Sequence, residues 1–388
     1  MPRSAPIAPR RRRRARICAG HTPPPTGTGG RPVGENTTIE WAHHTFNPWE
    51  GCQKCGPGCE NCYAETRNAR FAGGVAINWG PGAPRRRTSA ANWAKPLRWN
   101  AEAAAKGIRY RVFCASLADV FDNAVDPQWR DDLWRLILDT PHLDWLLLTK
   151  RIGNVGGRTP IMGMPANVWL GITVVNQEEA DRDIPKLLAT PAARRFLSIE
   201  PLLSGIELPR VDFHCDLCGG TGTLARWPKG RCHHCHGRGC IPAISTDPKF
   251  GTPATPMRSI DWIIVGGESG PGARPMHPHW ARSLRDQCAA AEVPFLFKQW
   301  GEWAPISEMS EELVDSCYHP APAHHPEATR LPRVGRTVLH ADGERFDGKR
   351  AYEFGAFLQG KRAMSMYAVG KRRSGRLLDG VQHDGVPA

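Results

Sequence analysis

From Tyr110 to Trp300 short apolar runs alternate with segments whose apolar residues recur at helical spacing. RVFCASLADVFD is an apolar run ending in small and acidic residues. DPQWRDDLWRLILDT follows, with Asp126 as an N-cap, Pro127 at the first helical position, and Trp129, Leu133, Leu136 and Ile137 at helical spacing. HLDWLLLTKR and VWLGITVVNQ read as buried strands, and QEEADRDIPKLLATP as a helix interrupted or started near Pro185. ARRFLSIEPLLSGI, IDWIIVGGESG and VPFLFKQWG are three further strands, the last two separated by the helix HWARSLRDQCAAAEV. Repeated strand and helix units predict an α/β fold with a parallel sheet covered by helices. Six or seven units fit a partial (β/α) barrel better than a complete one, with a doubly wound open sheet as the alternative.

Upstream, TTIEWAHHTFNP has the content of a short strand, and YAETRNARFAG that of a helix stopped by Gly73 and Gly74. Residues 1–36 lack apolar periodicity and are expected to form a disordered basic tail, with the barrel over 37–305 and a C-terminal extension over 306–388. In that extension VLHADGERFDGKR reads as a hairpin turning around Asp342-Gly343.

Polar residues fall where the apolar runs end: Ser116 and Asp119; Thr149, Lys150 and Arg151; Thr173 and Asn176; Glu200; Glu268 and Ser269; Lys298, Gln299 and Trp300. The carboxyl ends of parallel strands share one face, and in barrels that face carries the active site. The bland reading of any one of these groups is an ordinary strand-end polar residue. Glu200, for instance, could pair with a nearby arginine and order the loop before Pro201. Their recurrence at nearly every strand end is what predicts a pocket.

Composition changes this picture in two places. The net charge of +13 is uneven: eight arginines and no acid precede Glu35, which leaves +5 for the rest of the 388 residues. Such a tail could bind phosphates without sequence preference, so nucleic acid is a candidate partner. No apolar run approaches the ~20 residues that span a bilayer, and the basic start has no apolar signal segment. No membrane partner and a cytoplasmic protein are therefore expected. Thirteen cysteines in such a protein point to metal ligation, because the cytosol keeps thiols reduced.

The cysteines cluster twice. Cys215-x2-Cys218-x13-Cys232-x2-Cys235 offers two thiolate pairs able to close a tetrahedron around Zn2+. CDLCGGTG and CHHCHGRG resemble the Cys-x-x-Cys-x-Gly-x-Gly repeats of DnaJ-type chaperones, and predict a zinc-binding insert over 213–242. The other cluster, GCQKCGPGCENCYAE, packs Cys52, Cys55, Cys59 and Cys62 into eleven residues between a strand and a helix. Three thiolates on one glycine-rich loop can hold three corners of a [4Fe-4S] cube and leave one iron open. Cys55-x3-Cys59-x2-Cys62 has the spacing of radical S-adenosylmethionine enzymes, whose open iron binds the cofactor's methionyl end.

The runs TTIEWAHHTFNPWEGC, GCENCYAE, LLLTKR, WLGITVVNQ, FLSIEPLL, IIVGGESGPGARPM and FLFKQWGEW, in that order from Thr37 to Trp303, resemble an uncharacterised phage-associated family of three-cysteine-motif, radical-SAM-like proteins. The resemblance implies a partial (β/α) barrel of radical-SAM type. Cys52, Cys59 and Cys62 would be the iron ligands, since Cys55 falls where other members carry an apolar residue. Cys55 stays the alternative, because the generic spacing selects it. The Gly-Gly-Glu segment that receives the methionyl amine in such enzymes follows the second strand, whereas Gly266-Gly267-Glu268 ends a much later one, so that role is not carried over.

The expected activity is that of a [4Fe-4S] and S-adenosylmethionine-dependent radical enzyme of unknown substrate, with nucleic acid or a co-encoded protein as candidate partner. Lys150, Glu200, Glu268 and Lys298 are the expected catalytic groups. Tyr63, Ser116, Asp119, Thr173, Ser269 and Arg274 are the expected cofactor contacts. The competing class is a non-catalytic, metal-stabilised nucleic-acid-binding protein, to which fourteen tryptophans could offer stacking surfaces.

Overall fold

A computed structural model describes residues 37, 39–208, 260–320, 330–358 and 360–387, together with four two-residue strands between 213 and 241. Its main sheet has seven strands: β1 (His44–Thr45), β2 (Tyr110–Cys114), β3 (Leu143–Thr149), β4 (Val168–Thr173), β5 (Arg194–Ile199), β6 (Trp262–Gly266) and β7 (Phe295–Gln299). They lie side by side in chain order, and every pairing is parallel. A doubly wound sheet must reverse its strand order at a switch point. This one never does, and it curls into half of a barrel.

Five helices accompany the strands: α1 (Tyr63–Phe71), α2 (Lys95–Lys106), α3 (Pro127–Leu138), α4 (Gln177–Ala189) and α5 (Pro278–Ala290). Asp126 caps α3 as expected, its carboxylate accepting from Gln128 N. Pro185 neither starts nor breaks α4, which begins at the Asn176 cap and runs through the proline. Burial of Ile184, Leu187 and Leu188 explains this, since three aliphatic side chains at roughly 1.5–3 kcal/mol each outweigh a proline cost of about 3 kcal/mol.

Side chains alternate between the two faces of a strand. On the outer face Val112, Trp145, Leu170, Leu197 and Ile263 share one core with Leu133, Ile184 and Leu284 of the helices. On the inner face Phe113, Leu146, Trp169, Phe196, Trp262 and Leu296 form a second core, joined by Trp41 from before β1. The Trp41 ring lies 4.6 Å from Phe113 and 6.0 Å from Trp262, both edge to face. Gly171 makes room there, because a Cβ on it would sit 2.2 Å from the Phe196 ring. The same alternation, two or four residues further along each strand, brings Leu148, Lys150, Thr173, Ser198, Glu200 and Lys298 to the inner face above this floor.

After β7 the chain builds a four-stranded antiparallel sheet from β8 (Trp303–Pro305), β9 (Arg336–Leu339), β10 (Arg345–Asp347) and β11 (Met364–Ala368), in the order β8-β11-β9-β10. The expected hairpin is β9–β10, turning through Asp342 and Gly343. The end of the chain then returns to the barrel. Phe297 N donates to His383 O and Gly385 N to Phe295 O, each at 3.0 Å, while Trp262 Nε1 donates to Gly385 O at 2.7 Å. This strap covers the edge of β7, where unpaired backbone groups would otherwise invite another strand. Among the described residues no helix is long and apolar enough to cross a membrane. The expected basic tail and the four cysteines Cys215, Cys218, Cys232 and Cys235 lie outside the described residues.

Candidate active site

The loop between β1 and α1 carries the cysteines over the mouth of the half-barrel. Cys52, Cys59 and Cys62 line a cavity of about 710 Å³, together with polar groups from the strand ends. Cys55 is not among the lining residues; it is exposed, with its Sγ 3.9 Å from Cys59 Sγ and 3.9 Å from the Lys150 carbonyl oxygen. Two glycines fix this path. Gly51, at φ +118°, would place a Cβ 2.6 Å from Asn78 O, and Gly58 would place one 2.7 Å from Val175 Cγ1 beyond β4.

Asp119 and Arg151 organise the side of the pocket that holds Cys52. The buried Asp119 carboxylate accepts from Thr149 Oγ1 at 2.8 Å, Phe121 N at 2.9 Å, Lys150 N at 3.1 Å and Arg151 Nη1 at 2.9 Å. Arg151 Nη1 also lies 3.5 Å from Cys52 Sγ, and its Nη2 donates to Gln53 O at 2.7 Å. Burial raises the Cys52 thiol to about 11, opposed by the Arg151 charge beside it. Cys59 is held below the ordinary thiol range, chiefly by the Cys55 thiol donating to it and also by the nearby Lys150.

Arg274 and Glu268 brace the loop from the other side. The two side chains meet at 2.6 and 2.8 Å, and Arg274 reaches on to Glu60 Oε2 at 2.7 Å and Pro57 O at 2.9 Å. Asn61 Nδ2 donates to Glu268 Oε2 at 3.0 Å and to Gly272 O at 2.9 Å. Burial works against the Glu268 charge, but the Arg274 hydrogen bonds prevail and hold its carboxyl below the usual range. Glu268 lines the cavity with its oxygens occupied, while Arg274 stands behind it.

The remaining expected residues face the cavity more openly. Glu200 pairs with Lys298 at 2.9 and 3.0 Å and accepts from Gln299 Nε2 at 3.0 Å; its partner is this lysine 98 residues away, not an adjacent arginine. Lys150 Nζ reaches Thr173 Oγ1 at 3.3 Å, and Ser269 Oγ accepts from Gln299 Nε2 at 3.2 Å. Tyr63 donates its hydroxyl to the Ser116 carbonyl and leaves 59% of its surface open. Ser116 Oγ is held by Asn47 Nδ2 at 3.0 Å. Asn47 and Asn61 went unassigned in the sequence, and Arg151 was noted at its strand end without a role.

The donor set distinguishes two kinds of metal group. Thiolates sharing one tetrahedral ion at about 2.3 Å must lie about 3.8 Å from one another. Among the described residues, no three of the four loop thiols gather within 4.8 Å. A cubane takes each thiolate on a separate iron, so its thiols need not meet around a single ion.

A profile of one protein family, described as protein of unknown function (DUF5131), matches residues 36–387. No curated protein and no solved structure matches the chain.

Proposed function

Since the chain belongs to the DUF5131 family, whose description carries no activity, we propose from the pocket itself that it is a radical S-adenosylmethionine enzyme of the partial-barrel type. Cys52, Cys59 and Cys62 would hold a [4Fe-4S] cluster. The observation that carries the reading is that these three cysteines, and not Cys55, share one 710 Å³ cavity with the strand-end polar groups. That volume lies within the range of roughly 300–1,000 Å³ typical of small-molecule sites.

A cluster bound there would supply the electron that cleaves S-adenosylmethionine reductively. The protein's own groups then bind and orient. Arg151 donates to Cys52 and offsets thiolate charge, with Asp119 fixing its direction. Tyr63, one residue after Cys62 and open on its face, suits an adenine ring. Lys150 is placed for a carboxylate, and the Glu200–Lys298 pair for ribose or substrate hydroxyls. The aromatic floor closes the pocket below and keeps bulk water from that side. Lys54, Arg67 and Lys371 also line the cavity, which favours an anionic substrate such as nucleic acid. We assign Zn2+ to Cys215, Cys218, Cys232 and Cys235 as a staple of the insert, and a cytoplasmic location to the whole, where these thiols stay reduced.

The test is anaerobic reconstitution followed by reduction in the presence of S-adenosylmethionine. Release of 5′-deoxyadenosine and methionine supports the enzyme. A colourless protein that holds only zinc and leaves the cofactor intact overturns it in favour of the nucleic-acid-binding class.

A further inference from the structure

The turn between β9 and β10 brings His340, Asp342 and Glu344 together, and none of the three lines the cysteine cavity. His340 has no exposed side-chain surface. Its Nε2 lies 2.9 Å from the Ala356 carbonyl, which can only accept, so Nε2 carries the proton. Nδ1 is buried and has no hydrogen-bond partner among the described residues. It faces the two carboxylates: Glu344 Oε2 is 3.6 Å away, and one ligating atom from each of the three side chains lies within 4.8 Å of the other two.

The turn is built to keep this arrangement. His340 N donates to Glu344 O at 2.9 Å and Gly343 N to His340 O at 3.0 Å, with Gly343 at φ +95°. Trp280 Nε1 of α5 donates to Ala341 O at 2.6 Å and pins the turn to the barrel. Asp342 Oδ1 accepts from Glu344 N at 3.1 Å, and its Oδ2 pairs with Lys361 Nζ at 2.5 Å.

We infer that His340 Nδ1, Asp342 and Glu344 form a binding site for a divalent transition-metal ion. A histidine whose far nitrogen is held by a carbonyl has its tautomer and ring orientation set for ligation through the near one. One imidazole with two carboxylates suits Mn2+ or Zn2+, and three protein ligands leave positions for water or an external ligand. Lys361 stands in for the ion by neutralising Asp342 when no metal is bound. The competing explanation is a bare ion pair between a protonated His340 and Glu344.

Titration of the full-length chain with Mn2+, followed by electron paramagnetic resonance of the free ion, separates the two. Mn2+ favours nitrogen and oxygen over thiolate, so the cysteine clusters stay silent. The site requires about one bound Mn2+ per chain, with affinity falling at least tenfold in Glu344→Gln and Asp342→Asn and rising in Lys361→Ala, all three changes lying at exposed positions. Absence of Mn2+ binding, or equal binding by all four proteins, overturns it. Neither iron nor S-adenosylmethionine enters the experiment, so its failure would not bear on the proposed enzyme.

Discussion

The two ends of the half-barrel's inner face follow one alternation and do opposite things. At the amino end Phe113, Trp169, Phe196 and Trp262 pack with Trp41 into a floor with almost no exposed surface. Two or four residues further along each strand, Lys150, Thr173, Glu200 and Lys298 face an open cavity. The floor is apolar where its rings pack against one another out of reach of water. The rim tolerates charges because each has a partner and water can reach it. A position along the strand thus decides whether a side chain packs into the floor or faces the cavity.

Breaking the floor should cost the most. Trp262→Ala removes a fully buried ring whose Nε1 also holds the C-terminal strap, and should lose about 3–5 kcal/mol in urea denaturation. Asp119→Ala tests the boundary between the two regions. It strands Arg151, whose side chain is 8% exposed, and should cost about 3 kcal/mol while also lowering iron loading, since Cys52 loses its oriented donor.

The next effect is a pH dependence outside the pocket. His277 caps α5, with Nδ1 accepting from His279 N and Nε2 on the Arg362 carbonyl, and burial lowers its pKa to about 4. The unfolded chain therefore binds the proton more readily, near the ordinary value of 6.5. Stability contributed by neutral His277 is complete above pH 6.5, declines as pH falls, and is gone below about 4. The share owed to His277 should be about 3 kcal/mol by denaturation at a series of pH values; His277→Asn should remove that share and leave the part owed to His43, whose burial also lowers its pKa to about 4.

The smallest stability change belongs to the rim. Lys298→Met and Glu200→Gln alter a partly solvated pair and should each shift stability by under about 1 kcal/mol. The same substitutions should reduce turnover far more than Trp262→Phe does. A rim variant that unfolds the protein would break the contrast between the two ends.

Much of this was legible because each apolar run ends in polar residues and the carboxyl ends of parallel strands share one face. That alone gathers Lys150, Thr173, Glu200 and Lys298 without any structure, and the period of two then explains why these side chains look inward. What stayed hidden depends on contacts far apart in sequence. Arg151 meets Cys52 across 99 residues, Asn61 meets Glu268 across 207, and neither partner marks the other. Asp119 reads as a pocket acid in the sequence, yet its oxygens are occupied by the β3 end and the turn that follows it. The strap at His383–Gly385 has no apolar pattern because it is held chiefly by backbone bonds, with the His383 ring against Phe295 as its one aromatic contact among the described residues. The four-cysteine frame from Cys215 to Cys235, expected from its spacing to bind zinc, lies outside the described residues.

The proposed enzyme takes its iron ligands from the cavity wall, Cys52 with Cys59 and Cys62, and not from the generic spacing that picks Cys55. Anaerobic iron content of the wild type beside Cys52→Ala and Cys55→Ala tests it most directly. The expected result is about four irons per chain in the wild type and in Cys55→Ala, with loss in Cys52→Ala. Loss of iron in Cys55→Ala with retention in Cys52→Ala would contradict it.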